Sequence, residues 1–144
     1  MTVTLRAARP TDAGATGTIL RQGLPPAQAA QHSTAETIAF CGTMIDRGWV
    51  TVAEADGRVQ GFVARDGAEI CALYLAPHAQ GRGLGRMLLE ATKRHADRLH
   101  LRSLTGNLRA RRLYTRAGFR PIAPETCAES AQNIHYVWTR EAAA

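Results

Sequence analysis

The residues from Ile70 to Glu90, ICALYLAPHAQGRGLGRMLLE, limit more than any others what this chain can fold into. Ile70 to Ala76 is a short apolar run closed by Pro77, the pattern of a buried strand. A glycine-rich turn follows, Gln80-Gly81-Arg82-Gly83-Leu84-Gly85. Then Leu84, Leu88, Ala91 and His95 recur at helical spacing, with Met87 and Leu89 widening the stripe. Strand, turn and helix in that order aim unpaired backbone N–H groups, and the positive end of a helix dipole, at one point. That point suits a phosphate. Side chains at Gly81, Gly83 or Gly85 would obstruct the anion or forbid a positive φ. Two other phosphate loops are excluded. Arg86-Met87 stands where a P-loop needs Lys-Ser/Thr, and Arg86 takes the place of the last glycine of a dinucleotide fingerprint.

Around this unit, strands and helices alternate. Val3 to Ala7 alternates apolar and polar residues as a strand does, and Pro10-Thr11-Asp12 supplies a turn and an N-cap for a helix over Ala13 to Gln22. Gly23-Leu24-Pro25-Pro26 ends it in a loop. Ser33 and Glu36 form a capping box for a second helix, Ser33 to Arg47, with Ile38, Cys41 and Ile45 as its buried stripe and Gly48 as its stop. Asp56-Gly57 and Asp66-Gly67 are hairpin signals linking Trp49 to Ala53, Val59 to Ala64 and the central strand. Past the glycine-loop helix, Leu99 to Thr105 reads as a strand and Asn107 to Ala117 as a helix stopped by Gly118. Phe119 to Ile122 and Asn133 to Thr139 close the chain as strands around an irregular loop, Pro124 to Gln132. The predicted order, β-α-α-β-β-β-α-β-α-β-β, puts antiparallel hairpins first and a parallel crossover after the central strand.

No linker or repeat interrupts the 144 residues, so a single domain over 1–144 is expected. The chain is 45% hydrophobic, yet no apolar run approaches the ~20 residues of a membrane span. MTVTLRAARP lacks the apolar core of a signal peptide, and a cytoplasmic location is expected. Cys41, Cys71 and Cys127 are odd in number and widely spaced, which argues against disulfides and a zinc site. Cys71 on the central strand reads as a small buried hydrophobe. The net charge of +6 comes largely from arginines, among them Arg82, Arg86, Arg94, Arg98, Arg102, Arg109, Arg111, Arg112 and Arg116. Such a surface attracts nucleic acid in principle. These arginines, however, fall on the polar faces of two predicted helices without interleaved aromatics, so a solvated face is the preferred reading.

Gln80 to Gly85, as Gln-x-x-Gly-x-Gly, resembles the acetyl-CoA pyrophosphate loop of the GNAT superfamily of N-acetyltransferases. One helix and one strand downstream, Asn107-Leu-Arg-Ala110-Arg-Arg-Leu-Tyr114-Thr-Arg-Ala-Gly118-Phe119 matches that superfamily's Asn-x-x-Ala-x-x-x-Tyr-x-x-x-Gly-Phe segment at every named position. Leu5 to Ala13, LRAARPTDA, is similar to its opening strand-to-helix turn. The likeness is specific from about Glu69 to Phe119. It implies an α/β fold with a mixed central sheet of about seven strands flanked by about four helices. It also implies acetyl-CoA as co-substrate, no metal, and acetyl transfer to a primary amine by direct attack in a ternary complex. The main chain of Leu73, Tyr74 and Leu75 would hold pantetheine where the central strand splays from its parallel neighbour. The backbone of Gln80, Gly81, Arg82, Gly83, Leu84, Gly85 and Arg86 would hold the pyrophosphate. Asn107 would bond the coenzyme arm and Tyr114 would protonate the leaving thiolate. Side chains at 73–75 serve equally as core, Asn107 as a helix N-cap, and Tyr114 as a helix aromatic packed with Ala110 and Ala117. A phenol with an ordinary pKa near ~10 is protonated at neutral pH, as that role requires.

The general base stays open. Some peptide-acetylating relatives carry a glutamate five residues before the asparagine, where this chain has Arg102. That departure weakens a peptide N-terminal reading. Glu69 and His78 are candidates acting through water, or plain surface residues, and His32 and His135 have no assigned place. The loops Arg21 to His32 and Pro124 to Gln132 would select the acceptor, a small-molecule or peptide amine, with Glu125 and Glu129 available to attract a cation. No membrane partner is expected, and a homodimer is open. The rival from another class is a non-catalytic acyl-CoA-binding module that keeps the loop without turnover.

Overall fold

Tight hairpins carry the first half of the sheet. In the computed structural model, which describes residues 2–122 and 133–143, β1 (Thr4–Ala7), β2 (Val50–Ala55), β3 (Arg58–Asp66) and β4 (Glu69–Leu75) are successive antiparallel neighbours. Asp56 and Gly57 turn β2 into β3 with φ values of 55° and 73°. Positive φ at both positions is the turn geometry whose twist matches the flanking strands. β5 (Arg98–Leu104), β6 (Arg120–Ile122) and β7 (Asn133–Thr139) complete a seven-stranded sheet in the order β1-β2-β3-β4-β5-β7-β6. Among the described residues only β4 and β5 are parallel. α1 (Ala13–Gly23), α2 (Pro26–Ala29) and α3 (Thr34–Asp46) lie between β1 and β2. α4 (Leu84–Lys93) makes the crossover from β4 to β5, α5 (Leu108–Arg116) follows β5, and α6 (Arg140–Ala143) follows β7. This mixed sheet with four longer helices is the predicted fold class. The four-residue α2 and α6 add to it.

Both faces of the sheet are covered by helix. Ile19 and Leu20 of α1 with Cys41, Met44 and Ile45 of α3 pack on Val50, Val52, Phe62, Ala64 and Ala72. On the other side Leu88 and Leu89 of α4 and Tyr114 of α5 meet Val63, Ile70, Leu99, Leu101, Tyr136 and Trp138. β3, sandwiched between the two, is buried without interruption from Gln60 to Ala64, as a strand covered on both faces must be. Each fully buried Leu on such a face contributes ~1.5–3 kcal/mol.

Local signals placed most helix ends. Ser33 Oγ accepts the Glu36 N–H at 3.0 Å while Glu36 accepts the Ser33 N–H at 3.0 Å, so the predicted capping box forms. The stripe of α3 differs: Thr37, Cys41, Met44 and Ile45 are buried and Ile38 is half-buried. Asp12 does not cap α1. Residues Pro10–Asp12 form a 3₁₀ turn, and the Asp12 carboxylate accepts the Arg9 N–H at 2.7 Å and the Arg6 guanidinium at 2.8 Å and 3.1 Å. Cys71, expected in the core, is exposed. Ala64 pairs with Ala72 and Arg65 with Ile70, which leaves Cys71 as the extra residue of a β-bulge and turns its side chain outward. Its thiol faces Glu69 Oε1 at 3.6 Å. The loop Pro124 to Gln132, with Glu125, Cys127 and Glu129, lies outside the described residues.

Candidate functional site

The site grows from a parting of strands. β4 and β5 register at Glu69 and His100, where the His100 N–H donates to the Ala68 carbonyl at 2.8 Å. Beyond that point no further pair joins them, while β4 stays zipped to β3 as far as Leu75. Main-chain groups of Leu73, Tyr74 and Leu75 that point toward β5 are therefore without a strand partner. In a sheet interior such groups need an acceptor or donor from elsewhere. The sequence expectation of a splayed central strand describes this geometry.

At the end of β4 the Ala76 N–H crosses back to the Gln60 carbonyl at 2.8 Å, a 3₁₀ turn spans Pro77–Ala79, and the glycine loop begins. Gly81 and Gly83 have φ of 77° and 83°, and Gly83 is the left-handed N-cap of α4. An ideal Cβ at either position meets nothing within 4 Å. Conformation, not space, demands glycine there. Gly85 is different. It lies inside α4, and a Cβ on it would stand 2.9 Å from Leu113 Cδ2 of α5. Its smallness serves helix packing, a role the sequence reading did not include. No side chain caps α4, whose first intrahelical bond runs from the Met87 N–H to the Gly83 carbonyl at 3.1 Å. The amides of Leu84, Gly85 and Arg86 thus lie in the uncapped first turn, pointing along the dipole. A diphosphate fits this chemistry, since it brings negative charge and acceptors but needs no side-chain ligand.

The flanking side chains are tethered. Gln80 Oε1 accepts from Arg109 Nη1, joining loop to α5. Arg86 Nε donates to Glu90 Oε1 at 3.0 Å, so its guanidinium leans along the helix and away from the loop. Leu84 is buried and serves the core, while Arg82 lines a cavity of about 370 Å³ with Asp56, Arg58, Gln60 and His78. Asn107 caps α5, its Oδ1 accepting the Ala110 N–H at 3.2 Å.

Tyr114 is 8% exposed and packs its ring against Phe119 and Tyr136, with centroids 6.1 Å and 5.7 Å away. Its hydroxyl has no hydrogen-bond partner among the described residues. Burial, with smaller contributions from the phenols of Tyr74 and Tyr136, pushes its pKa up to about 12. Burial also raises the pKa of Tyr74, the middle residue of the splayed segment. The sequence assigned Tyr74 through its main chain alone; its ring is an addition. Gly23, read only as a helix stop, lies directly on that ring. Nothing local in either residue could have revealed the contact.

The base candidates separate. Glu69 stands at the closed end of the gap, opposite His100. His78 Nε2 meets Gln60 Oε1 at 2.7 Å. Because Gln60 Nε2 donates to the Ala55 carbonyl at 3.1 Å, His78 must be the donor in that bond. His135 Nε2 lies 3.3 Å from His100 Nδ1, and burial, His100, Arg102 and Arg98 lower its pKa. His32 is a surface partner of Glu36 at 3.7 Å, far along the chain from the gap. Among the described residues no group of three or more His, Cys, Asp or Glu could hold a metal, and no helix is long and apolar enough to cross a membrane.

Comparison with known proteins adds an independent line. A mycothiol acetyltransferase of Propionibacterium freudenreichii subsp. shermanii is 32% identical over 89 residues, covering 58% of this chain, which in turn spans only 26% of that relative. A GNAT-family acetyltransferase from Bacillus cereus superimposes with a TM-score of 0.79 at 15% identity, covering 97% of this chain and 99% of the other. The yncA protein of Salmonella typhimurium, solved with its cofactor acetyl-CoA, gives 0.72 at 21% identity over 97% and 95% of the two chains. Identities that low speak for the fold. The family model described as acetyltransferase (GNAT) domain goes further, matching residues 46–121 and so taking in the parted strands, the glycine loop, Asn107 and Tyr114. On that match the chain belongs to the GNAT acetyltransferase family.

Proposed function

We propose that this protein transfers the acetyl group of acetyl-CoA to a primary amine, by direct attack within a ternary complex, in a single domain spanning residues 1–144. The parted strands carry this reading. β4 and β5 separate beyond Glu69 and His100, a left-handed glycine loop follows the end of β4, and α5 carries the buried phenol of Tyr114. Pantetheine extends along the free main chain of Leu73, Tyr74 and Leu75. The pyrophosphate sits on the backbone of Gln80 to Arg86, and the side-chain NH2 of Asn107, whose Oδ1 caps α5, reaches the coenzyme arm. The neutral amine adds to the thioester carbonyl, and the tetrahedral intermediate expels coenzyme A as a thiolate while the amine gives its extra proton to water. The Tyr114 hydroxyl donates a hydrogen bond to the sulfur as the C–S bond breaks, and solvent supplies the thiol's proton.

Acceptor identity is the finer question. The relatives' name makes mycothiol chemistry one member of the panel to assay, beside small amines and peptide N-termini. Thiol release from acetyl-CoA against that panel, together with calorimetry of coenzyme A binding, tests the proposal. The wild type is expected to bind coenzyme A and release thiol only when a suitable amine is present. Gly83→Glu, which adds bulk and a negative charge at the loop, is expected to abolish binding. Unchanged affinity in a folded Gly83→Glu variant overturns the assignment of the loop. Tight binding without turnover of any amine favours the non-catalytic module.

A further inference from the structure

A sheet normally keeps its two faces apart, so a ring on one side cannot influence a ring on the other. Here Tyr74 belongs to the cluster under α1 and α3, and Tyr114 to the cluster under α4 and α5. The phenol of Tyr74 nevertheless adds, after burial, to the raised pKa of Tyr114. Tyr74 sits in the segment where β4 has left β5, which leaves the two faces open to one another there.

The ring of Tyr74 is held on two sides. Its cross-strand partner is Phe62 on β3, with ring centroids 6.0 Å apart and planes inclined by 35°. From the other side comes the last residue of α1. A Cβ built on Gly23 would lie 2.4 Å from Tyr74 Cδ1 and 2.9 Å from Cε1, closer than atoms pack. Glycine is there for room alone, since its φ is not left-handed. The hydroxyl differs from the ring. It has no hydrogen-bond partner among the described residues, and it is not among the fully buried polar atoms without one. A clamped ring with a free, reachable hydroxyl is the form of a contact residue.

We propose that Tyr74, wedged between Gly23 and Phe62, is the residue that positions the acceptor amine, its hydroxyl meeting the amine on the α1 side of the gap while Tyr114 attends the leaving sulfur on the α5 side. This rests on the acetyl-transfer reading above. Two phenols on opposite faces divide the work, because the nucleophile and the leaving group cannot approach the same carbonyl carbon along one path. A phenol oxygen accepts a hydrogen bond from a neutral amine and leaves its lone pair free to attack. The ring beside it offers a favourable surface to an ammonium before deprotonation. The acceptor is therefore recognised at its amine end by a neutral aromatic group.

Thiol-release kinetics with n-propylamine, phenethylamine, spermidine and an alanine-initiated tripeptide test this in wild type, Tyr74→Phe and Gly23→Ala. Loss of one hydrogen bond in Tyr74→Phe should raise the KM of the best amine about tenfold. The KM for acetyl-CoA and the calorimetric affinity for coenzyme A should not move, because the main chain of β4 is intact. Gly23→Ala displaces the ring and should act in the same direction. Tyrosine labelled with ¹³C at Cζ gives a second readout. Adding the same amine to the coenzyme A-loaded protein should shift the Tyr74 signal, assigned by its absence in Tyr74→Phe. An unchanged amine KM in Tyr74→Phe, or an unmoved Tyr74 signal, overturns the proposal even if coenzyme A binding is normal. Absence of coenzyme A binding by the wild type would instead strike the acetyl-transfer reading itself.

Discussion

A phenol packed against Phe119 and Tyr136 loses most of the water that would stabilise its phenolate, and Tyr114 is pushed up to about 12 chiefly for that reason. The consequence for mechanism is quantitative. A thiol has a pKa near ~8.5, so complete proton transfer from Tyr114 to a free thiolate runs uphill by several pKa units. The hydroxyl instead supports the sulfur by a hydrogen bond that strengthens as negative charge develops, and solvent completes the protonation. Interactions that grow only in the transition state appear in kcat and not in KM. Tyr114→Phe should therefore lower kcat by about 10- to 100-fold, toward the low end for acid catalysis. The acetyl-CoA KM should be unaffected. The pH dependence follows with its sign. A raised phenol pKa keeps the proton on as pH climbs past the ordinary value of 10 toward about 12. Loss of this proton thus cannot produce a falling limb between neutrality and pH 10, and wild type and Tyr114→Phe should give parallel profiles there. A basic limb in that range that disappears in the variant would mean that Tyr114 titrates in the open.

At the scale of elements, the glycines around α4 do two different jobs, and stability measurements can tell them apart. Gly83, with a φ of 83°, is the left-handed N-cap. Alanine there should cost about 1–2 kcal/mol in denaturant unfolding, the strain of that conformation for a residue with a Cβ. Gly85 lies within the helix, where alanine gains about 1 kcal/mol of propensity. Against that gain stands a shift of the flexible Leu113 tip, 2.9 Å from the added atom, so Gly85→Ala should be near neutral. A large loss at Gly85 would reveal a rigid α4–α5 contact. β1, the 3₁₀ turn and β2 are joined by another device: Arg6 bonds Asp12 at 2.8 Å and Glu54 at 2.7 Å. The Arg6 guanidinium is the main cause that holds the Asp12 carboxyl below its ordinary pKa of 3.8. A depressed carboxyl pKa stabilises the fold above the unfolded value and loses that contribution as pH falls through the folded one. Asp12→Asn should accordingly melt lower than wild type at pH 7, and the difference should close only below pH 3.8. A gap in melting temperature that persists undiminished into strong acid would show the ion pair to be incidental.

Over the whole molecule, what the sequence foretold and what it missed divide by the range of the cause. Ser33 with Glu36, Asp56 with Gly57, and Gly118 at φ 91° act on their own few residues, and each sits where its pattern predicts. The glycine loop is legible for the same reason, since a left-handed N-cap is a local affair. Cys71 was misread because its exposure is decided by a bulge in the pairing of β4 with β3, which hydrophobicity along β4 cannot register. The influence of Tyr74 on Tyr114 depends on how the packed layers meet, and the room for the Tyr74 ring depends on where α1 ends. Those are properties of packed layers and not of motifs. The parting of β4 from β5 makes a prediction about the molecule as a unit. One cluster under α1 and α3 and another under α4 and α5 meet at the gap, so a coenzyme lying along it would contact both. A ligand that binds only the folded state, present at about 100 times its Kd, stabilises that state by about 2.7 kcal/mol. For a chain of this size that amounts to a rise in Tm of about 5–10 °C. Wild type with saturating coenzyme A should show that rise as a single sharpened transition. Gly83→Glu should show none, while Tyr74→Phe and Tyr114→Phe should retain it, since neither removes a main-chain contact. If coenzyme A raised only part of the transition and split it in two, the two clusters would be melting separately and the gap would not be the place where the ligand joins them.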